Sequence, residues 1–251
     1  MIPDRLIRVA TILLLHYEET MQRQIQAVTF DAGGTLIHLV EPVGESYSRV
    51  ACEFEIEADP ATLERFFREV WKETPPPFIS GAEEGVSERS WWKLLVGEVF
   101  ARTLASRELT SSSIFDQFFD RLYDHFAEPG VWELDPDALE VLDEIGRRGV
   151  RSAIISNFDE RLLRILADLE VLDRFDPLVI SNNLNFSKPH PAIFQFAIDQ
   201  LDLPAEAILH VGDDPVSDVE GATALGMQSF LVGRGKGQLI EILSKLPLAE
   251  R

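Results

Sequence analysis

The chain has 251 residues, enough for one well-formed core plus a smaller accessory unit. Its 43 acidic and 23 basic side chains give a formal net charge of −20, which repels nucleic-acid phosphates and anionic membrane surfaces and argues against either as a partner. No apolar run approaches the roughly 20 residues of a membrane span, and Cys52, the single cysteine, excludes an intramolecular disulfide, so cytoplasmic residence is the expectation.

The first apolar stretch, residues 9–15 after Arg5 and Arg8, is short for a signal core. His16, Glu18 and Glu19 follow it without a small-residue cleavage site. Met21 stands just before the first strand, so residues 1–24 read as an N-terminal extension, either unstructured or an over-extended start. Residues 26–30 then form a short apolar strand that ends on Asp31, with Gly33 and Gly34 close behind. A carboxylate at the carboxyl end of a strand sits where open α/β sheets bind ligands. The glycines let the backbone turn sharply and approach a ligand or metal.

The next recognisable strand, residues 150–156, comes more than a hundred residues later, and the pattern between the two is helical. Asp59 followed by Pro60 is a helix start, with an N-cap aspartate and proline in the first helical position. Leu63, Phe66, Phe67, Val70 and Trp71 recur at helical spacing until the prolines at 75–77. Two further amphipathic patterns follow, one through Trp91, Leu94, Leu95 and Val99 and one from Ile114 to Phe126. The cap aromatics Trp71, Phe78, Trp91 and Trp92 read as packing residues before they read as a substrate gate.

From Asp135 onward strands and helices alternate. A helix over 138–148 closes on Gly149, a common residue just past a helix end. Strands are expected over 150–156, around 178–180, over 207–211 and over 228–232. Helices are expected over 160–169, 191–201, 216–225 and 237–246. That alternation predicts an α/β fold with a Rossmann-like parallel sheet and helices on both faces. The core comprises residues 25–42 and 128–251, and a helical cap of residues 43–127 is inserted after the first strand.

Four stretches put polar groups at or near strand ends: Asp31, then Ser156 and Asn157, then Lys188 before Pro189, then Gly212 to Asp218 with Asp213 and Asp214. Strand ends of a parallel sheet share one edge, so these groups can meet. Carboxylates suit a hard oxygen-seeking cation, a hydroxyl and amide suit phosphate oxygens, and an ammonium supplies charge. Each has a plainer alternative: Asp31 as a turn residue, Ser156 and Asn157 as helix caps, Lys188 as a surface lysine, and the Asp213–Asp214 pair as a solvated loop. His190, between two prolines, reads as structural.

With these four motifs in this order and a helical insertion between the first two, the chain resembles the haloacid dehalogenase (HAD) superfamily over about residues 25 to 235. The resemblance implies a hydrolase in which Asp31 attacks phosphorus and forms an aspartyl-phosphate. It implies Mg²⁺ held by Asp31, the carbonyl of Gly33 and Asp213, with Asp218 acting through water or from behind. Ser156 would bind phosphate with Asn157 close by, Lys188 would neutralise charge, and Thr35 would orient the loop around Asp31.

At position 33 the chain departs from the family's pattern. Its phosphatases carry a carboxylate there that protonates the leaving alkoxide and then activates water, help worth roughly 10² to 10⁴ in rate. Gly33 cannot supply it, and His38 and Glu41 are the nearest replacements in sequence. Three readings follow: a hydrolase of small phosphorylated substrates with good leaving groups, a binding or scaffold protein of the same fold, and a haloacid dehalogenase. The last ranks lowest, because those enzymes work without metal and usually carry an aromatic residue where Gly33 stands. Whether the chain is a monomer or homodimer stays open.

Overall fold

A computed structural model describes residues 24–75, 88–184, 186–233 and 237–248. The expected N-terminal extension and Phe78 lie outside the described residues. The strands in chain order are β1 (Ala27–Phe30), β2 (Ile37–Leu39), β3 (Trp132–Leu134), β4 (Arg151–Ser156), β5 (Leu178–Ile180), β6 (Ile208–Gly212) and β7 (Gln228–Leu231). Five of them make one sheet in the order β5-β4-β1-β6-β7, and every pair in it is parallel.

The sheet is apolar on both faces, as a parallel sheet between helices must be. Along β1 the side chains alternate: Val28 and Phe30 join one buried cluster, and Ala27 joins the other. Helices α5 (Ala138–Arg147) and α6 (Arg161–Asp168) cover the first face through Val141, Ile145, Leu162 and Leu166. Helix α7 (Pro191–Leu201) covers the second through Ile193, Phe194 and Ala197. Phe30 lies opposite Ile154 on β4 and Val211 on β6. This register brings the residues that follow the three strands to one edge.

Among the described residues, four α-helices make the cap: α1 (Val43–Cys52), α2 (Pro60–Glu73), α3 (Glu88–Thr103) and α4 (Ser113–His125). The Asp59 carboxylate accepts the Thr62 amide at 2.8 Å, the cap expected from Asp-Pro. The cap has its own core around Tyr47, Phe100 and Phe118. Phe100 and Phe118 meet edge to face at 4.8 Å, and truncating either to alanine is expected to cost about 3–5 kcal/mol. The two chain passages between cap and core are tied by antiparallel pairing of β2 with β3, Ile37 opposite Leu134 and Leu39 opposite Trp132.

Several elements differ from the sequence expectation. Helix α1 and the β2–β3 pair are additions to the expected elements; three-residue strands carry no readable period, and no N-cap side chain precedes α1, which follows Pro42. Leu94 and Ile114, expected on buried helix faces, are exposed, and Leu95, Val96, Val99 and Phe115 fill those places. The helix expected over 216–225 is a π-helical stretch, Pro215–Glu220, followed by one α turn, Gly221–Thr223. The helix expected over 237–246 is a short 3₁₀ segment, Leu239–Ser244, opened by a capping box between Gln238 and Glu241 and followed by Pro247. No helix among the described residues is long and apolar enough to cross a membrane.

Candidate active site

Asp31 follows β1 directly, and its amide donates to the Val211 carbonyl at 2.8 Å, so the residue is held at the sheet edge. The following loop is tightened by the Leu36 and Ile37 amides on the Ala32 carbonyl, at 2.9 and 3.0 Å. Gly34 has φ +86°, and a Cβ there would lie 2.8 Å from Asp213 Oδ2, so that carboxylate packs against bare backbone. Gly212 is required for the same reason: a side-chain carbon there would collide with the Asp218 carboxylate.

Lys188 stands at the centre, only 2% exposed. Its Nζ donates to Asp31 Oδ1 at 2.7 Å and to Asp218 Oδ1 at 2.6 Å. Ser156 Oγ donates to the same Asp31 oxygen at 3.0 Å. Behind Asp218 lies His210, whose Nε2 donates to Oδ1 at 3.2 Å, while Nδ1 accepts from the Thr29 hydroxyl at 2.9 Å. A carboxylate can only accept, which sets that tautomer. The Asp214 amide completes the shell by donating to Asp218 Oδ2 at 2.9 Å.

Burial raises the Asp31 carboxyl, with Asp218 and Asp213 adding to the effect and Lys188 opposing it. Burial alone would depress Lys188, but Asp31 and Asp218 outweigh it and hold the ammonium above its ordinary range. Asp218 is likewise resisted by burial, yet Lys188 and His210 keep it well below the carboxylate norm. His210 is lowered by burial and stays neutral.

Ligand oxygens of Asp31, Asp213 and Asp218 lie within 4.8 Å of one another. Three carboxyl groups beside one ammonium give a local excess of negative charge and an all-oxygen donor set. Both features fit a hard divalent cation. Both oxygens of Asp218 are engaged by Lys188, His210 and the Asp214 amide, so it would stand behind the ligands. Asp214 does other work: its Oδ1 accepts the Val216 and Ser217 amides at 2.9 and 2.6 Å and caps the π-helical stretch.

Two expected roles change. Asn157, expected beside the phosphate, lines the cavity and has a second task. Its Oδ1 accepts the Lys188 amide at 2.7 Å and its Nδ2 donates to the Lys188 carbonyl at 2.9 Å, so it clamps the backbone that carries the ammonium. The buried hydroxyl of Thr35 has no hydrogen-bond partner among the described residues, so backbone bonds to Ala32 carry the loop instead. His190 is structural as expected, capping α7 through the Ala192 amide at 3.2 Å and stacking on Phe186.

Between the cluster and the cap lies a cavity of about 800 Å³. Trp71, Trp91 and Trp92 line it from the cap, so the rings read as packing residues form the wall facing the cluster. His38 lines it from β2, its Nε2 donating to Asp135 at 3.1 Å. Glu41, the other flap candidate, is held by Arg49 and Ser46. A latch joins cap to core on one side: Tyr123 donates to Asp159 at 2.8 Å, and Arg161 donates to the Tyr123 carbonyl at 2.9 Å. Sequence reasoning missed Tyr123, Asp159, Arg161, Glu88 and His210. Only His210 left a signal, as a polar residue inside an otherwise apolar strand.

The fold and the strand-end cluster define an α/β protein with a helical lid above an acidic site. The comparisons agree with that class. Residues 25–226 match the family model described as haloacid dehalogenase-like hydrolase. The human haloacid dehalogenase-like hydrolase domain-containing protein 3 is 34% identical over 210 residues, which are 83% of this chain and 82% of that protein. The chain therefore belongs to the haloacid dehalogenase-like hydrolases. Among solved structures, the L-2-haloacid dehalogenase of Xanthobacter autotrophicus matches with TM-score 0.65 and 19% identity, covering 87% of this chain and 82% of that one. A HAD phosphatase from Thermococcus onnurineus matches with TM-score 0.57 and 20% identity, over 85% and 89% of the two chains. One fold thus serves two chemistries, and the fold alone does not choose between them.

Proposed function

We propose that the protein is a divalent-metal-dependent phosphohydrolase, acting on a small phosphate ester or acyl phosphate through an aspartyl-phosphate on Asp31. One observation carries the reading: Asp31, Ser156, Lys188, Asp213 and Asp218 converge in one cluster that opens into the cavity beneath the cap. Haloacid displacement by a carboxylate needs no cation and would leave the oxygen cluster of Asp31, Asp213 and Asp218 with no ion to hold. A scaffold has no physical need to bury two carboxyl groups on one lysine with a third beside them.

An Asp31 carboxylate oxygen attacks phosphorus, the bond to the leaving oxygen breaks, and the leaving group takes that electron pair. Water then attacks the aspartyl-phosphate, releasing inorganic phosphate and restoring Asp31. Lys188 holds the Asp31 carboxyl in line and offsets charge gathering on the transferring group. Ser156 has its hydroxyl beside the same oxygen, within reach of a phosphoryl oxygen. Mg²⁺ is the expected cation; Asp31, Asp213 and the Gly33 carbonyl would hold it, and it would supply charge neutralisation for the phosphoryl oxygens.

Gly33 brings no proton to the leaving oxygen, so leaving groups that depart as stable anions are favoured. His38 is the flap residue able to take part of that work. With Nε2–H donating to Asp135, the neutral ring keeps Nδ1 as an acceptor, and the protonated ring has a proton to give. The test is hydrolysis of p-nitrophenyl phosphate and acetyl phosphate with and without Mg²⁺, with Asp31→Asn as control. Turnover should require the metal and vanish in the variant. Hydrolysis that survives Asp31→Asn, or release of halide from 2-haloacids without metal, overturns the reading. His38→Gln should slow alkyl esters more than p-nitrophenyl phosphate.

A further inference from the structure

The cap wall of the cavity holds a buried carboxyl group with an oxygen that no described residue answers. Glu88 lies in the first turn of α3 and is 4% exposed, yet its Oε2 has no hydrogen-bond partner among the described residues. It lines the same cavity as Asp31. Helical spacing puts Trp91 and Trp92 three and four residues on, along the same stripe of α3. Their rings meet at 5.0 Å, and Trp71 joins both at 5.7 and 5.6 Å. Tyr123 lines the cavity from α4.

The cations around this pocket do not answer Glu88. Arg161 donates to Asp159 at 2.6 Å and lies 3.5 Å from the centre of the Tyr123 ring. On the α2 side Arg68 is paired with Glu64 at 2.8 Å, and Lys72 is exposed. Burial pushes the Glu88 carboxyl up to about 8, Asp159 adds to that, and Arg161 only partly offsets it. A buried acid among aromatic faces is a receptor for a cation: the carboxylate pairs with it, and the ring faces attract it.

We propose that Glu88, flanked by Trp91 and Trp92, is the subsite for a basic nitrogen, so that the substrate is a phosphate ester whose alcohol carries an amine on an apolar or aromatic body. The ester half of this statement rests on the phosphohydrolase reading, and the amine half stands without it. The aromatic walls accept the apolar body, Glu88 takes the ammonium, and the phosphate reaches Lys188 and Ser156 across the cavity. Alcohols carrying a further carboxylate or phosphate bring no cation to Glu88 and would be selected against.

All four tryptophans of the chain, Trp71, Trp91, Trp92 and Trp132, line this cavity, so intrinsic fluorescence reports on it directly. Titration of the full-length protein with benzylamine should saturate, and benzyl alcohol, its neutral counterpart, should bind at least tenfold more weakly. Glu88→Gln should reduce benzylamine affinity by about ten- to a hundredfold, the scale of a lost hydrogen bond to a charged group. In kinetics, 4-(aminomethyl)phenyl phosphate should exceed 4-methylphenyl phosphate in kcat/KM, and the ratio should fall toward one in Glu88→Gln.

Equal binding of amine and alcohol by the wild-type protein overturns the proposal, as does a preference unchanged in Glu88→Gln. The wild-type comparison needs no variant to fold. Amine binding without hydrolysis of either ester would keep the subsite and refute the phosphohydrolase reading. Hydrolysis of both esters without amine preference would do the reverse.

Discussion

The strand-end cluster and the cap wall face each other across one cavity and treat buried charge in opposite ways. At the strand ends Lys188 spans Asp31 and Asp218, and His210 and the Asp214 amide close the shell around Asp218. On the cap, Glu88 is buried with an oxygen that meets no donor. A cross-linked network holds its geometry before any substrate arrives, as catalysis by preorganised charge requires. An unanswered carboxyl instead leaves its pairing to the ligand. Chemistry and recognition are thus separated by where pairing is complete.

Breaking the paired side should have the largest effect. Lys188→Met leaves Asp31 and Asp218 buried without their shared cation, a loss of about 3–5 kcal/mol in denaturant unfolding, with phosphatase turnover abolished in the protein that still folds. Normal turnover would show that the network is structural only. Restoring what the paired side lacks comes next. A Cβ on Gly33 would have Phe158 at 3.9 Å as its nearest neighbour and the backbone there is not left-handed, so Gly33→Asp should be accommodated. Alkyl phosphates should then turn over faster, by up to roughly 10² to 10⁴, with little gain on p-nitrophenyl phosphate. Unchanged steady-state rates would mean that another group, His38 first, already moves the proton.

The unpaired side should show itself in pH dependence. Below pH 4.5, the ordinary value for glutamate, Glu88 is protonated in both folded and unfolded chains. Between there and about 8 the unfolded chain gives up the proton and the folded one keeps it, so stability falls as pH rises, and above about 8 the loss is complete. Glu88→Gln lacks this loss and should gain on the wild type from pH 5 to pH 9, by an amount on the order of a few kcal/mol. Thermal melts at pH 5, 7 and 9 measure it, and a gap that does not widen sinks the assignment. The smallest effect is expected at the clamp. Asn157→Ala removes two hydrogen bonds to the Lys188 backbone, about 2 kcal/mol of stability, and should lower kcat more than it raises KM. A change confined to KM would return Asn157 to the substrate.

Much of the paired side is legible in the sequence. Asp31, Ser156 and Asp213 each follow an apolar run, and parallel strands must end along one edge, so their proximity follows from backbone geometry. The roles of Asn157 and Thr35 are not legible in this way. An amide beside a serine reads as substrate contact until the Lys188 backbone is found against it, and a loop threonine reads as a hydrogen-bonding residue until its hydroxyl is found without a partner. The cap side is less legible still. Helical spacing marks α2, α3 and α4 but does not say which aromatic rings pack and which face a cavity.

Sequence alone determined the alternating α/β core, the helical insertion after the first strand, the carboxylates at the strand ends and the absent side chain at position 33. Those features rest on local rules: a period of two or 3.6, glycine and proline at turns, and the edge shared by parallel strands. Tertiary structure decided which charges meet. The bond from Lys188 to Asp31 joins residues 157 positions apart, and Glu88, buried with an unanswered Oε2, feels Asp159 and Arg161 some seventy positions on. Pairing and desolvation are properties of the neighbourhood in space, and only the packed chain supplies that neighbourhood.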